Sequence, residues 1–210
     1  MLLINGYKVR PALVVIDMQN GFCSKGGSYD KLGMNISHYQ SIIPNIKTVI
    51  EKCRKAGIPI FYTQAVREVS GIDLLTRRHK ILPKNREERI KKVPICVRGT
   101  WDAEIVEDLK PSKEDHVVEK RRDSAFHDTE LDLWLRSLHV DTVILCGADT
   151  TVCVNISVRD AFNLDYDVMV IGDATASLHP EFHAGTLEVI REWFGLVMST
   201  SEFVQKLRTV

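Results

Sequence analysis

Five side chains able to do chemistry stand at the ends of apolar runs. Asp17 follows Leu13-Val-Val-Ile, Gln64 follows Ile58-Pro-Ile-Phe-Tyr-Thr, and Lys120 closes His116-Val-Val-Glu. Cys153 comes shortly after Thr142-Val-Ile-Leu-Cys-Gly147, and Asp173 follows Asp167-Val-Met-Val-Ile-Gly172. A thiol becomes a nucleophile as its thiolate, which calls for a base and a positive charge close by. Asp17 can take the proton, and Lys120 can stabilise carboxylate and thiolate alike. Taken singly, each residue has a plainer role: a strand-end cap for Asp17, a snorkelling surface lysine for Lys120, an inert core thiol for Cys153. Together they describe nucleophilic attack on a carbonyl.

The residues around Cys153 favour the reactive role. Val154, Val158, Ala161 and Phe162 recur at helical spacing, and Asp149, Thr150 and Thr151 are N-cap residues by type. Cys153 is therefore expected in a first helical turn, where unpaired N–H groups and the helix dipole favour a thiolate and can hold an oxyanion. A Cys/His pair is the competing arrangement, but nothing in the spacing of His127, His179 or His183 ties one of them to Cys153. No His-x-His or Asp-x-His follows the second strand, so no metal is expected. Cys23 reads as a packing residue, with a place as a second thiol in the crevice left open. Phe22 and Trp101 read as core or wall residues.

Strands and helices alternate along the chain. Strands are expected at Arg10–Asp17, Ile58–Gln64, His116–Lys120, Thr142–Gly147, Asp167–Gly172 and Leu196–Met198. Helices are expected from near Pro44 to Ala56, near Arg86–Lys91, over Trp101–Leu109 and Thr129–Leu138, from Cys153, over Pro180–Phe194 and from Thr200 to Leu207. Strands with no polar alternation are buried on both faces, as in a parallel sheet covered by helices. In such a sheet ligands bind beyond the carboxyl ends of the strands, where all five polar residues are delivered.

Composition sets the outer limits. With 210 residues, 44% hydrophobic and 27% charged, the chain is expected to form one α/β domain over 1–210. Twenty-eight basic residues balance twenty-eight acidic ones, so no overall field favours nucleic acid. The basic stretch Arg77–Lys92 carries Glu87 and Glu88 and reads as a solvated helix or loop. Met1-Leu-Leu-Ile4 is too short an apolar run for a signal peptide or a membrane span. Five cysteines without metal-ligand spacing point to a reduced, cytoplasmic protein.

Leu13-Val-Val-Ile-Asp17-Met-Gln-Asn-Gly-Phe22, Lys120-Arg-Arg-Asp-Ser-Ala-Phe126-His-Asp-Thr-Glu-Leu131 and Gly147-Ala-Asp-Thr-Thr-Val-Cys153-Val, followed by Arg159-Asp-Ala161 and Asp173-Ala174, occur in an order that resembles the cysteine-hydrolase branch of the isochorismatase-like superfamily. The likeness runs from Pro11 to about Phe203. Within the superfamily it is greatest to the ureidoacrylate amidohydrolase, biuret hydrolase and N-carbamoylsarcosine amidase groups. The resemblance implies a three-layer sandwich: a six-stranded parallel sheet in Rossmann-like order with helices on both faces. It also implies an Asp–Lys–Cys triad at Asp17, Lys120 and Cys153, an oxyanion hole from the backbone N–H groups of Asp149 and Cys153, and a cis peptide between Ala148 and Asp149. The nicotinamidase subgroup has an Asp-x-His metal motif where this chain has Ala65-Val-Arg67-Glu68, so neither metal nor cofactor is expected.

The expected activity is hydrolysis of a C–N bond in a small ureido or carbamoyl amide through a cysteine acyl-enzyme. Phe22, Asn20, Gln64, Arg67 and Thr150 are the expected substrate contacts. A vinyl-ether hydrolase of the isochorismatase type and a non-catalytic thiol or redox protein are the rival readings. The expected partners are the amide, water and further copies of the chain in a dimer or tetramer. The Ala65–Pro94 excursion and the Thr129–Leu138 region are the expected contacts between copies.

Overall fold

A computed structural model describes residues 2–4 and 6–208. Its strands are β1 (Leu2–Ile4), β2 (Tyr7–Val9), β3 (Pro11–Ile16), β4 (Ile60–Ala65), β5 (His116–Lys120), β6 (Thr142–Ala148), β7 (Asp167–Ala176) and β8 (Leu196–Met198). The last six form one parallel sheet in the order β5-β4-β3-β6-β7-β8. The chain starts at β3, moves outward to β5, then returns beside β3 and moves the other way. The order thus reverses between β3 and β6, which opens a crevice beyond their carboxyl ends.

The main helices are α1 (Ile43–Lys55), α2 (Lys84–Lys92), α3 (Leu131–Ser137), α4 (Asn155–Asn163), α5 (Pro180–Trp193) and α6 (Thr200–Arg208). One side of the sheet packs Leu13, Val15, Ile144 and Met169 against Ile46, Val49 and Ile50 of α1 and Phe203 of α6. The other packs Ala12, Val14, Val143 and Val168 against Leu131 and Leu135 of α3, Val158 and Ala161 of α4, and Ile190 of α5. Both faces of β3 are buried, the physical reason for its unbroken apolar run. Gly147 is required where β6 meets β3: its φ is +111°, and a Cβ there would stand 2.2 Å from the Ile16 carbonyl oxygen.

Local departures from the expected elements have identifiable causes. The β1–β2 hairpin was not foreseen, although Asn5-Gly6 between apolar runs is a hairpin signal. The stretch expected to be helical over Trp101–Leu109 forms two short turns, Trp101–Ala103 and Glu107–Leu109. Between them Ile105 bridges to Gln19, and Val106 N–H donates to the Met18 carbonyl at 2.9 Å, so pairing with the loop after β3 overrides local propensity. β7 continues past Gly172 to Ala176, with a register shift against β6. Asp173 consequently lies within a strand, not in the crevice. Its Oδ1 accepts from Thr200 N and Oγ1, each at 2.7 Å, and caps α6. Among the described residues no helix is long and apolar enough to cross a membrane.

Candidate active site

Asp17 and Lys120 form a buried ion pair at the end of the crevice. Lys120 Nζ is 2.7 Å from Asp17 Oδ2, and the two side chains are 0% and 2% exposed. The pair is held from both sides. Thr63 Oγ1 accepts from Asp17 N at 3.1 Å and donates to Asp17 Oδ1 at 2.5 Å. Lys120 Nζ donates to the carbonyls of Arg122 and Asp123 at 3.1 and 2.8 Å. The ammonium thus has hydrogen-bond partners as well as a counter-charge, which a buried ion needs. Burial works against the charge of Lys120, but Asp17, Cys153 and Asp123 outweigh it and its pKa is raised.

Cys153 lies in a π-helical turn, Thr150–Val154, and α4 begins after it, so the residue is not in the first turn of a regular α-helix. It is partly exposed, whereas the other four cysteines are buried. Burial of the sulfur is the main influence on its thiol and pushes the pKa up. Lys120 lowers it, and the Asp17 and Asp123 carboxylates raise it again. Desolvation thus outweighs the lysine and holds the thiol above its ordinary range, so Cys153 needs a base to give up its proton. Lys120 is the cation working against that elevation. Lys120→Met should slow iodoacetamide alkylation of Cys153 at neutral pH by about tenfold for each further unit of pKa, measured by intact mass.

Asp149 holds the Cys153 turn in place. It is the N-cap, and its carboxylate accepts from five donors: Tyr39 OH, Thr151 N, Thr151 Oγ1, Ser177 Oγ and Leu178 N. These come from the turn before α1, the Cys153 turn itself and the loop after β7. Tyr39, Ser177 and Thr63 were not read from the sequence. Thr63 left a trace, as a polar residue inside an apolar strand. The peptide between Ala148 and Asp149 is cis, as the resemblance implied. Asp149→Ala strands buried donors and should cost about 1–3 kcal/mol, read as a lower urea midpoint.

Asp17, Lys120 and Cys153 all line one cavity of about 500 Å³. The isochorismatase domain matches residues 11–202 of the sequence. The chain belongs to the isochorismatase family. A ureidoacrylate amidohydrolase RutB of Agrobacterium fabrum is 34% identical over 202 residues, covering 91% of this chain and 87% of its own. A cysteine hydrolase from Pseudomonas syringae pv. phaseolicola 1448A has a TM-score of 0.83 and 27% identity, over 100% of this chain and 98% of its own. N-carbamoylsarcosine amidase from Thermoplasma acidophilum has a TM-score of 0.70 and 27% identity, over 91% and 96%.

In this isochorismatase-family chain the other expected contacts divide. Phe22 and Arg67 line the cavity. Phe22 packs edge-on against Tyr29 with ring centroids 4.8 Å apart. Arg67 Nη1 donates to the carbonyls of Val66 and Arg121. Asn20, Gln64 and Thr150 are not on the cavity wall. The amides of Asn20 and Gln64 donate to the carbonyls of Trp101 and Ala103, holding the 101–103 turn. Thr150 is fully buried, with its hydroxyl 3.0 Å from His183 Nδ1. Cys23 is buried, and burial pushes its thiol up to about 12. Arg86 and Arg89, placed by the sequence in a solvated stretch, lie on the wall because α2 folds back over the crevice. Among the described residues no group of three or more His, Cys, Asp and Glu side chains could hold a metal ion.

Proposed function

We propose that this chain is an amidohydrolase that cleaves a C–N bond of a small ureido or carbamoyl compound, with Cys153 as nucleophile, Asp17 as acid and base, and Lys120 as their shared counter-charge. The observation that carries the reading is the buried Asp17–Lys120 pair sharing one cavity with the Cys153 thiol. A protein needing only a thiol for redox or scaffolding has no use for a desolvated ion pair beside it. The relatives named for ureidoacrylate and N-carbamoylsarcosine support the same class of substrate.

Because burial raises the thiol pKa, attack and deprotonation are coupled. Asp17 Oδ1 is held by Thr63. Oδ2 has no directed hydrogen bond among the described residues beyond its ionic contact with Lys120, and it is the oxygen that takes the proton. The sulfur then bonds to the substrate carbonyl carbon, and the oxyanion is held by the N–H groups of Asp149 and Cys153. The C–N bond breaks as Asp17 returns its proton to the leaving nitrogen, giving ammonia or an amine. Water, deprotonated by Asp17, attacks the thioester, releases the acid and restores the thiol. The test is ammonia release from ureidoacrylate, biuret, N-carbamoyl amino acids and nicotinamide, with rapid-quench mass spectrometry for an adduct on Cys153. Turnover of a ureido or carbamoyl compound with that adduct is expected. No ammonia from any of them would overturn the reading.

A further inference from the structure

Charge on the cavity wall is not balanced. Lys120, Arg67, Arg77, Arg86, Arg89 and Arg122 line it against Asp17, Glu68, Asp123 and Asp149. Each of these acids is already satisfied. Asp17 pairs with Lys120, Asp123 receives two hydrogen bonds from Arg86 at 2.6 and 2.7 Å, and Glu68 pairs with Arg98 and Arg121. The Asp149 carboxylate is filled by its five donors. Arg67 and Arg122 donate to backbone carbonyls, which fixes the guanidinium groups without cancelling their charge.

Arg77 also has no ion pair or side-chain hydrogen bond among the described residues, but it is exposed, and Arg89 is not. Arg89 is half-buried on α2, and among the described residues it has neither an ion pair nor a side-chain hydrogen bond. Tyr29 lines the same cavity, and its phenol feels the charges of both Cys153 and Arg89, so it stands near each of them. A guanidinium drawn into a cavity without an anion is costly, and a carboxylate is its best-fitting partner.

Much of the rest of the wall is apolar. Phe22, Leu74, Ile90, Val93, Ile95 and Leu178 face the same space. Its volume of about 500 Å³ lies in the range that encloses a drug-sized ligand, and a ureido acid without a side chain leaves much of it unfilled.

We propose that the cavity is built for an N-carbamoyl amino acid with an apolar side chain: the ureido carbonyl at Cys153, the carboxylate at Arg89, and the side chain against Leu74, Ile90 and Val93. The inference rests on the amidohydrolase reading above. It makes α2 the element that sets specificity, since this one helix carries the cation and Ile90 and leads directly into Val93.

Calorimetric titration of the Cys153→Ser protein with N-carbamoyl-leucine, N-carbamoylglycine and isopentylurea separates the parts. The first probe has both carboxylate and apolar body, the second lacks the body, and the third lacks the carboxylate. N-carbamoyl-leucine should bind at least ~10-fold more tightly than either of the others. Adding Arg89→Gln should weaken both carboxylates by ~10-fold or more and the urea by less than ~2-fold, because only the carboxylates lose a charge-assisted bond. Equal affinity for N-carbamoyl-leucine and isopentylurea, a uniform loss across all three probes, or no binding of any of them would overturn the proposal. Binding does not need chemistry at Cys153, so these outcomes are distinct from failure of the amidohydrolase reading, which shows as no ammonia released by the unaltered protein.

Discussion

Cys153→Ser should abolish turnover while the protein remains folded. Losing an activated nucleophile costs on the order of 10⁴–10⁶-fold in rate, because the remaining groups cannot form the covalent intermediate. The sulfur is not what holds the turn together. Asp149 caps it, and Ser157 Oγ donates to the Cys153 carbonyl at 2.6 Å. A serine leaves these contacts in place, so the unfolding free energy should change by less than about 1 kcal/mol. Steady-state ammonia release and a denaturation curve on the same preparation check both halves. Full activity in Cys153→Ser, with loss of activity in Cys23→Ser, would assign the nucleophile to the wrong thiol.

Asp17→Asn should damage activity and stability together. An amide cannot accept the thiol proton, so turnover should fall by roughly 10³-fold or more. The same change leaves Lys120 buried without its counter-charge, at a cost of about 3–5 kcal/mol. The pH dependence of that cost has a definite sign. In the native protein the Lys120 pKa is raised, so its contribution to stability is complete below the unfolded value and is lost only as pH rises through the folded one. With Asp17 neutralised, the largest remaining influence on Lys120 is burial, which depresses the folded value. The unfolded chain then binds the extra proton, and stability should rise with pH above neutrality. A urea midpoint for Asp17→Asn that does not increase between neutral pH and about pH 9 would contradict this account. Adding Lys120→Met removes the stranded charge and should recover stability without activity, a separation that a double-mutant cycle measures.

Strand positions and the family were legible in the sequence because they depend on runs of neighbouring residues. Leu13–Ile16, Thr142–Ala148 and Asp167–Ile171 are apolar without alternation, and that pattern alone requires burial on both faces. Chain order then places Asp17, Lys120 and Cys153 at carboxyl ends of strands in one parallel sheet, which is where the structure has them. Glycine at 147 and the acid at 149 are likewise local features with local consequences.

Other properties were decided only when distant segments met. Gln64, Asn20, Thr150 and Asp173 are polar residues near the ends of strands, as Lys120 is, yet their side chains are taken up by Ala103, Trp101, His183 and Thr200. None of those partners is adjacent in sequence, so no spacing rule shows which polar group is spent on structure and which faces the cavity. The thiol follows the same logic: a helix start and a lysine favour the anion, but the desolvation that overrides them exists only once the walls have closed around the sulfur. The basic stretch from Arg77 to Lys92 reads by composition as solvated. It becomes a cavity wall because α2 folds back over the crevice, bringing Arg86 to Asp123 and leaving Arg89 facing the space beside Tyr29. Sequence determined which residues could do chemistry. Burial and long-range hydrogen bonds, which depend on three-dimensional proximity, decided which of them face the cavity.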